Sequence, residues 1–269
     1  MIRNTVQKAG IGVERDFRWR GGEVSRIEAF SDAVFAFSVT LLVVSLEVPK
    51  TFNDLMTAMQ GFAAFTLSFA LLVWIWYNHY IFFRRYGLQD TYTIVLNAVL
   101  LFVILFYIYP LKFLATLIVD ALLASKITTQ LPNGSEAPMI EIGQTGELMV
   151  VYGLGFFLVF LCFALLFAHA YKKRDELALS TEEAFDTVTG MEQHLLEAGI
   201  GLVAIVMAVL IGDRIPVLSS LPYWLIGPVM TFHGSWRGKK KRRLMPYANE
   251  DESHSPLNPS TTTKESRSK

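Results

Sequence analysis

The chain has 269 residues, 52% of them hydrophobic and only 18% charged, and its 24 basic and 24 acidic residues cancel to a formal charge of zero. With a mean hydropathy of +0.39, that composition reads as an all-α, polytopic membrane protein; no nucleic-acid partner, metal or cofactor is expected. The single cysteine, Cys162, lies in an apolar run, so there is neither a disulfide framework nor a zinc pattern, and it is expected to be a small packed side chain.

Residues 1–23 form a basic, polar segment without the small-residue cleavage pattern of a signal peptide, so the first apolar helix is expected to serve as its own insertion signal. Apolar runs near the roughly 20 residues needed to cross hydrocarbon occur at about 26–47, 55–83, 92–119, 148–171, 192–212 and 215–233. The fifth must include Glu197 to reach full length. Pro216, Pro222 and Pro228 should kink the sixth, and the fifth and sixth could instead form a tight hairpin. Cytoplasmic loops keep the basic residues. Arg3, Lys8, Arg15, Arg18 and Arg20 precede the first run, Arg84 and Arg85 follow the second, Lys172 to Arg174 follow the fourth, and Arg237 and Lys239 to Arg243 follow the sixth. Lys50, Lys112, Lys126 and Arg214 are left for the other side. Six spans with both termini cytoplasmic satisfy this distribution. The expected organisation is therefore an N-terminal segment at 1–23, a transmembrane domain at 24–235 and a basic, then disordered, tail at 236–269, whose later part is too poor in apolar residues to offset ordering entropy. The KKKRR run could bind anionic lipid or act only as a topology anchor. Asn133-Gly134-Ser135 matches a glycosylation acceptor in a predicted external loop.

The first run, RIEAFSDAVFAFSVTLLVVSLEVP, carries Ser31 and Asp32 inside otherwise apolar sequence. A carboxylate there costs roughly 2.5 to 3.5 kcal/mol on insertion scales, so it must have partners. Asp32 lies six residues after Arg26, His79 five before Arg84, and Asn97 about six into the third run. At about 1.5 Å per residue these groups share a depth, and a network among them is expected. Arg26 and Asp32 are roughly 120° apart around a helix, an awkward direct pair; His79 or Asn97 is the better bridge, with Ser31 able to donate to either. The layer serves either as interhelical glue or as a proton relay through Asp32 and His79. His169 and His194 are expected at the membrane interface, and Trp74, Trp76, Tyr77, Tyr80 and Tyr86 in an aromatic belt, with Trp76 close enough to orient His79.

Beyond Asp32, the positions Ala33, Phe37, Thr40, Leu41 and Val44 form one helical stripe, apolar except for the Thr40 hydroxyl. Copies of such a stripe around an axis would make a hydrophobic constriction with one ring of hydroxyls, the kind of element that gates a pore by dewetting. An ordinary packing face would look the same. The combination Arg26-x-x-x-Phe30-Ser31-Asp32, then Val34-Phe35-Ala36 and Thr40-Leu41-Leu42, with Trp76-x-x-His79, Phe82-Phe83, Asn97 and Pro110, resembles the endosomal and lysosomal potassium channel family, the transmembrane protein 175 family, in its short prokaryotic form. The resemblance covers about residues 24–120. It implies a six-helix unit that assembles as a homotetramer in the lipid bilayer, in the cell membrane of a prokaryote, and carries potassium ions passively through a pore lined by the first helix. It also implies that Arg26, Phe30, Ser31, Asp32, Trp76, His79 and Asn97 hold that helix in place. Phe37, Leu41 and Val44 would form the constriction, and Thr40 the polar ring that helps select potassium. The family usually has isoleucine or leucine where this chain has Phe37, so four phenylalanines would occlude the pore more fully.

Other functions have less behind them. The TVGYG filter of the commonest potassium channels is absent; Thr187-Val188-Thr189-Gly190 resembles it superficially but falls in a predicted cytoplasmic loop. No phosphate-binding glycine loop or HExxH pairing appears, and an enzyme is not expected. A secondary transporter would need broken helices in both halves, whereas only the sixth run is interrupted. A non-conducting structural subunit is the remaining alternative.

Overall fold

Apolar segments with no water to satisfy their backbone must close their hydrogen bonds internally, and this chain does so as helices. The computed structural model describes residues 17–44, 50–122, 128–130, 135–141, 143–212 and 216–244. Helix α1 spans Arg26–Val44, α2 Phe52–Tyr86, α3 Thr91–Leu122, α4 Gln144–Lys172, α5 Thr181–Ile211, α6 Pro216–Trp224 and α7 Ile226–Leu244. Between α3 and α4, strands β1 (Thr128–Gln130) and β2 (Glu136–Pro138) pair antiparallel, with Thr128 opposite Pro138 and Gln130 opposite Glu136. Among the described helices four are long and apolar enough to cross a membrane: Gly61–Tyr86 within α2, then α3, α4 and α5. Asn133 and the tail beyond Leu244 lie outside the described residues.

Local chemistry sets the helix starts. Ser25 and Glu28 open α1 with a reciprocal cap, the Glu28 amide donating to Ser25 Oγ at 3.2 Å and the Ser25 amide to Glu28 Oε2 at 2.8 Å. Ser180 and Glu183 open α5 in the same way. Asp90 Oδ1 accepts from the Thr93 amide at 3.0 Å and starts α3. Within the bundle α4 and α5 approach closely because glycines face each other: a Cβ on Gly153 would meet Ile205 Cγ1 at 2.5 Å, and one on Gly201 the Phe157 nitrogen at 3.1 Å. Pro110 removes a donor from α3, and the Tyr152 hydroxyl of α4 donates to the Pro110 carbonyl at 2.9 Å. Cys162 is buried in this core.

Three expectations need correction. The fifth segment starts at Thr181, three turns before 192, because the Ser180 box supplies an N-terminus there. Thr187 to Gly190 is therefore helix rather than loop; Thr187 is buried, and a Cβ on Gly190 would strike the Phe167 ring at 2.5 Å. The sixth segment is two helices meeting at Leu225, whose amide turns back to the Pro222 carbonyl at 3.1 Å. Pro228 then sits in the first turn of α7, where its missing N–H has no intrahelical partner to lose, and α7 continues through the KKKRR run to Leu244.

A strap formed by residues 17–22 braces the end of α2. The Arg20 amide donates to the Arg85 carbonyl at 3.3 Å and the Gly21 amide to the Arg84 carbonyl at 3.1 Å, while Phe17 packs edge-on against Tyr86. Arg20 also reaches across to Glu183 Oε2 at 2.6 Å and the Leu177 carbonyl at 2.6 Å, tying the strap to α5. At Gly21 only hydrogen fits, since a Cβ would lie 2.6 Å from the Phe83 carbonyl oxygen. Gly21→Ala is therefore expected to lift the strap and lower the thermal midpoint in detergent, by the roughly 1 to 3 kcal/mol typical of overpacking.

Candidate functional site

Helix α1 has two faces. Glu28, Ser31, Phe35, Ser38 and Leu42 alternate at spacings of three and four and are buried against the bundle. Arg26, Ala29, Phe30, Ala33, Ala36, Phe37, Thr40 and Val43 lie on the other side and are exposed.

On the buried face three helices meet through one directed chain of hydrogen bonds. Asn97 on α3 donates through Nδ2 to Ser31 Oγ at 2.9 Å and accepts through Oδ1 from His79 Nε2 on α2 at 2.9 Å, which places the proton of that ring on Nε2. Ser31 in turn donates to the Ile27 carbonyl at 2.8 Å. His79 and Asn97 are each 2% exposed and Ser31 0%, so none of these groups has water as a substitute partner. The His79 ring is held between Phe35 and Phe83, at centroid distances of 5.6 and 4.6 Å.

Asp32 takes a different partner. Its Oδ1 accepts from Trp76 Nε1 at 2.9 Å, and Trp76 stacks on Tyr80. An indole N–H only donates and the His79 chain ends on the Ile27 carbonyl, so among the described residues no direct hydrogen bond joins Asp32 to His79. The geometry is that of a clamp. Arg26 and Phe30 are exposed, Phe30 at 62%, and the fold does not bring them into either set of bonds. The Val44 side chain lies outside the described residues.

Beside the clamp the structure adds groups that the sequence reading passed over. Glu28 approaches Arg84 Nε at 3.7 Å, and Arg84 donates to the Gly22 carbonyl at 3.2 Å, so the N-terminus of α1 is held by the end of α2. The Ser-x-x-Glu spacing at Ser25 was the available signal. His194 faces the bundle interior: it is 4% exposed, pairs through Nδ1 with Glu197 Oε2 at 2.8 Å, and packs on Phe160, Phe163 and Phe167. Tyr86 is absent from any outward belt because it is 1% exposed and donates to Thr187 Oγ1 at 2.9 Å.

At the α2–α3 turn, Asp90 Oδ2 meets His169 Nε2 at 2.9 Å and Lys173 Nζ at 3.5 Å. Burial alone would raise this carboxyl, but the hydrogen bonds from His169 and the Thr93 amide and the nearby positive charge outweigh it and hold it at about 2.

A sequence model of the family described as Endosomal/lysosomal potassium channel TMEM175 matches residues 26–107, the stretch that contains both the clamp and the exposed face of α1. A protein of Marivirga tractuosa named potassium channel is 41% identical over 243 residues, covering 87% of this chain and 96% of that protein. The chain belongs to the TMEM175 family. A second relative, from Chamaesiphon minutus and also named potassium channel, is 35% identical over 101 residues, 35% of this chain and 50% of that protein. Among solved structures, a variant of the potassium channel MtTMEM175 bound to a nanobody fusion protein is 40% identical, with a TM-score of 0.72 over 85% of this chain and 100% of that one. As a TMEM175 member with several apolar helices of spanning length, the chain is an integral membrane protein of an ion-channel family, not of an enzyme family.

Two outcomes are expected. Asn97→Leu removes two bonds, leaving His79 Nε2 without its acceptor and Ser31 with only its Ile27 bond, and should cost more thermal stability than Trp76→Phe, which removes one bond; interhelical bonds in membranes average about 0.6 kcal/mol and reach about 1.7. Equal losses in detergent melting would contradict the central place of Asn97. The folded-state pKa of Asp90 is depressed, so its stabilisation is present above the usual carboxylate range near 3.8 and is lost as pH falls through about 2. The difference in thermal midpoint between native protein and Asp90→Asn should therefore shrink between pH 4 and pH 2.

Proposed function

We propose that this protein is a potassium-selective channel in which copies of the chain, four in the homotetramer implied by the family resemblance, surround a pore lined by α1 and let potassium pass down its electrochemical gradient. The observation that carries the reading is the uncovered face of α1: Phe37 is 55% exposed and Thr40 exposed, although both lie one turn or less from fully buried Ser38 and Leu42. A long aromatic side chain left open in a single chain requires either lipid or another copy. The relatives' naming as potassium channels supports the second.

In this arrangement Phe37 and Leu41, with Val44 beyond them, narrow the pore to an apolar ring that excludes water unless it widens. Thr40 stands between them. Its hydroxyl donates to the Ala36 carbonyl on its own helix at 3.1 Å, which leaves the oxygen lone pairs free to face a partly dehydrated cation. Selectivity for potassium over sodium is assigned to that ring. The clamp fixes the rotation of α1: Ser31 and Asp32 are pulled toward Asn97 and Trp76, which turns Phe37 and Thr40 the other way. Arg26 and Phe30, open in the single chain, are placed at the mouth of the pore or between copies. Six passages, with α6 and the first part of α7 as the last, and both termini in the cytoplasm, agree with the basic residues around the first, second, fourth and last helices. The cell membrane of a prokaryote agrees with the chain's length and with its bacterial relatives.

Replacing the aromatic ring tests the assignment. Phe37→Ala widens the constriction and is expected to raise potassium flux into proteoliposomes several-fold; unchanged flux in a correctly assembled variant would mean that this face does not line the pathway.

A further inference from the structure

The last helix, α7, divides its cations between two sides. His233, Arg237 and Lys241, four apart, face α5. His233 Nε2 lies 3.2 Å from Glu192 Oε2, Arg237 donates through Nε to Thr189 Oγ1 at 2.9 Å and lies 4.1 Å over the Phe185 ring, and Lys241 reaches Asp186 Oδ2 at 2.8 Å. These contacts fix the rotation of the helix. With that side fixed, Phe232, Trp236, Lys239 and Arg243 fall on the outward side, because at about 100° per residue they lie within roughly 60° of one another. Phe232 is 74% and Trp236 51% exposed. Lys239, Lys240, Arg242 and Arg243 are all exposed and form no ion pair with a described residue; Lys240 instead sits 5.4 Å over the Trp236 ring.

The stripe therefore runs from aromatic to basic over about 17 Å of helix. An order of this kind fits a membrane surface, with aromatic rings at the level of the headgroups and cations just beyond them. We infer that the outward side of α7 is a binding surface for anionic phospholipid headgroups, with Trp236 marking the depth and Lys239, Lys240, Arg242 and Arg243 meeting the phosphates. Charge complementarity names the occupant. Four cations within five residues, little more than one turn, have no acidic counterpart among the described residues, whereas the cytoplasmic leaflet carries negative charge, and each cation near such a surface is worth about fivefold in partition.

The test uses the full chain in phosphatidylcholine vesicles, with spin-labelled phosphatidylglycerol or spin-labelled phosphatidylcholine as probe and electron paramagnetic resonance reading the fraction of each that the protein immobilises. The expected result is a several-fold excess of immobilised phosphatidylglycerol. That excess should collapse toward parity in about 1 M salt, where the screening length is about 3 Å, and fall by at least half in a Lys239→Gln, Lys240→Gln, Arg242→Gln, Arg243→Gln variant. A Lys239→Gln, Arg243→Gln double variant should fall part of the way and serves if the quadruple variant does not assemble. Equal immobilisation of the two lipids by the native protein would overturn the inference, as a face covered by a second copy would give. An excess that survives the substitutions unchanged would place the anionic site elsewhere and overturn it too.

Discussion

Everything that gives α1 its orientation depends on one amide. Asn97 bonds side chains on both neighbouring helices, accepting from a histidine on α2 and donating to a serine on α1, and so joins the two in a buried layer. In water such bonds would exchange freely with solvent and hold little. Buried at 2% exposure or less, each group has no alternative partner, and leaving any of them unpaired carries the full desolvation penalty. The rotation of α1 about its own axis is thereby set, and with it the direction in which Phe37 and Thr40 point.

The supporting contacts act in the same sense. Trp76 holds Asp32 from α2, one helix removed from Asn97, so α1 is held at two adjacent residues by two different neighbours. The Ser25 and Glu28 cap, with Arg84 beside Glu28, fixes where the helix begins. The strap at residues 17–22 ties that same end of α2 to α5. In the proposed channel the constriction must stay in register between copies, and these contacts confine α1 already within one chain. Apart from Arg26 and Val43, the uncovered face consists of small and aromatic side chains, Ala29, Phe30, Ala33, Ala36, Phe37 and Thr40, which suits close approach around an axis.

The sequence made the membrane class, the first four helices and the family legible because long apolar runs and the Phe30-Ser31-Asp32 and Trp76-x-x-His79 pairings are local signals. The shared depth of Asp32, His79 and Asn97 could be counted from flanking charges. Which of them bond could not, because pairing depends on helix rotation: Asp32 turns to the indole of Trp76 while His79 turns to Asn97. The start of α5 was misplaced because polar residues such as Glu183 and Asp186 read as loop, when Arg20 and Lys241 neutralise them in the fold. The sixth segment was legible as interrupted but not as two helices, since its proline positions allow either a kink or a break. The burial of His194 was likewise hidden in the sequence, since its partner Glu197 is one turn away on the same helix.

In the proposed channel α1 lines a pore that passes potassium in preference to sodium. The most direct measurement is the reversal potential of the purified protein in a planar bilayer with KCl on one side and NaCl on the other. The expected current reverses toward the potassium equilibrium potential. A current reversing near zero would contradict the selectivity assigned to the Thr40 ring, and a confirmed assembly silent both in its native form and with Phe37 replaced by alanine would contradict the pore itself.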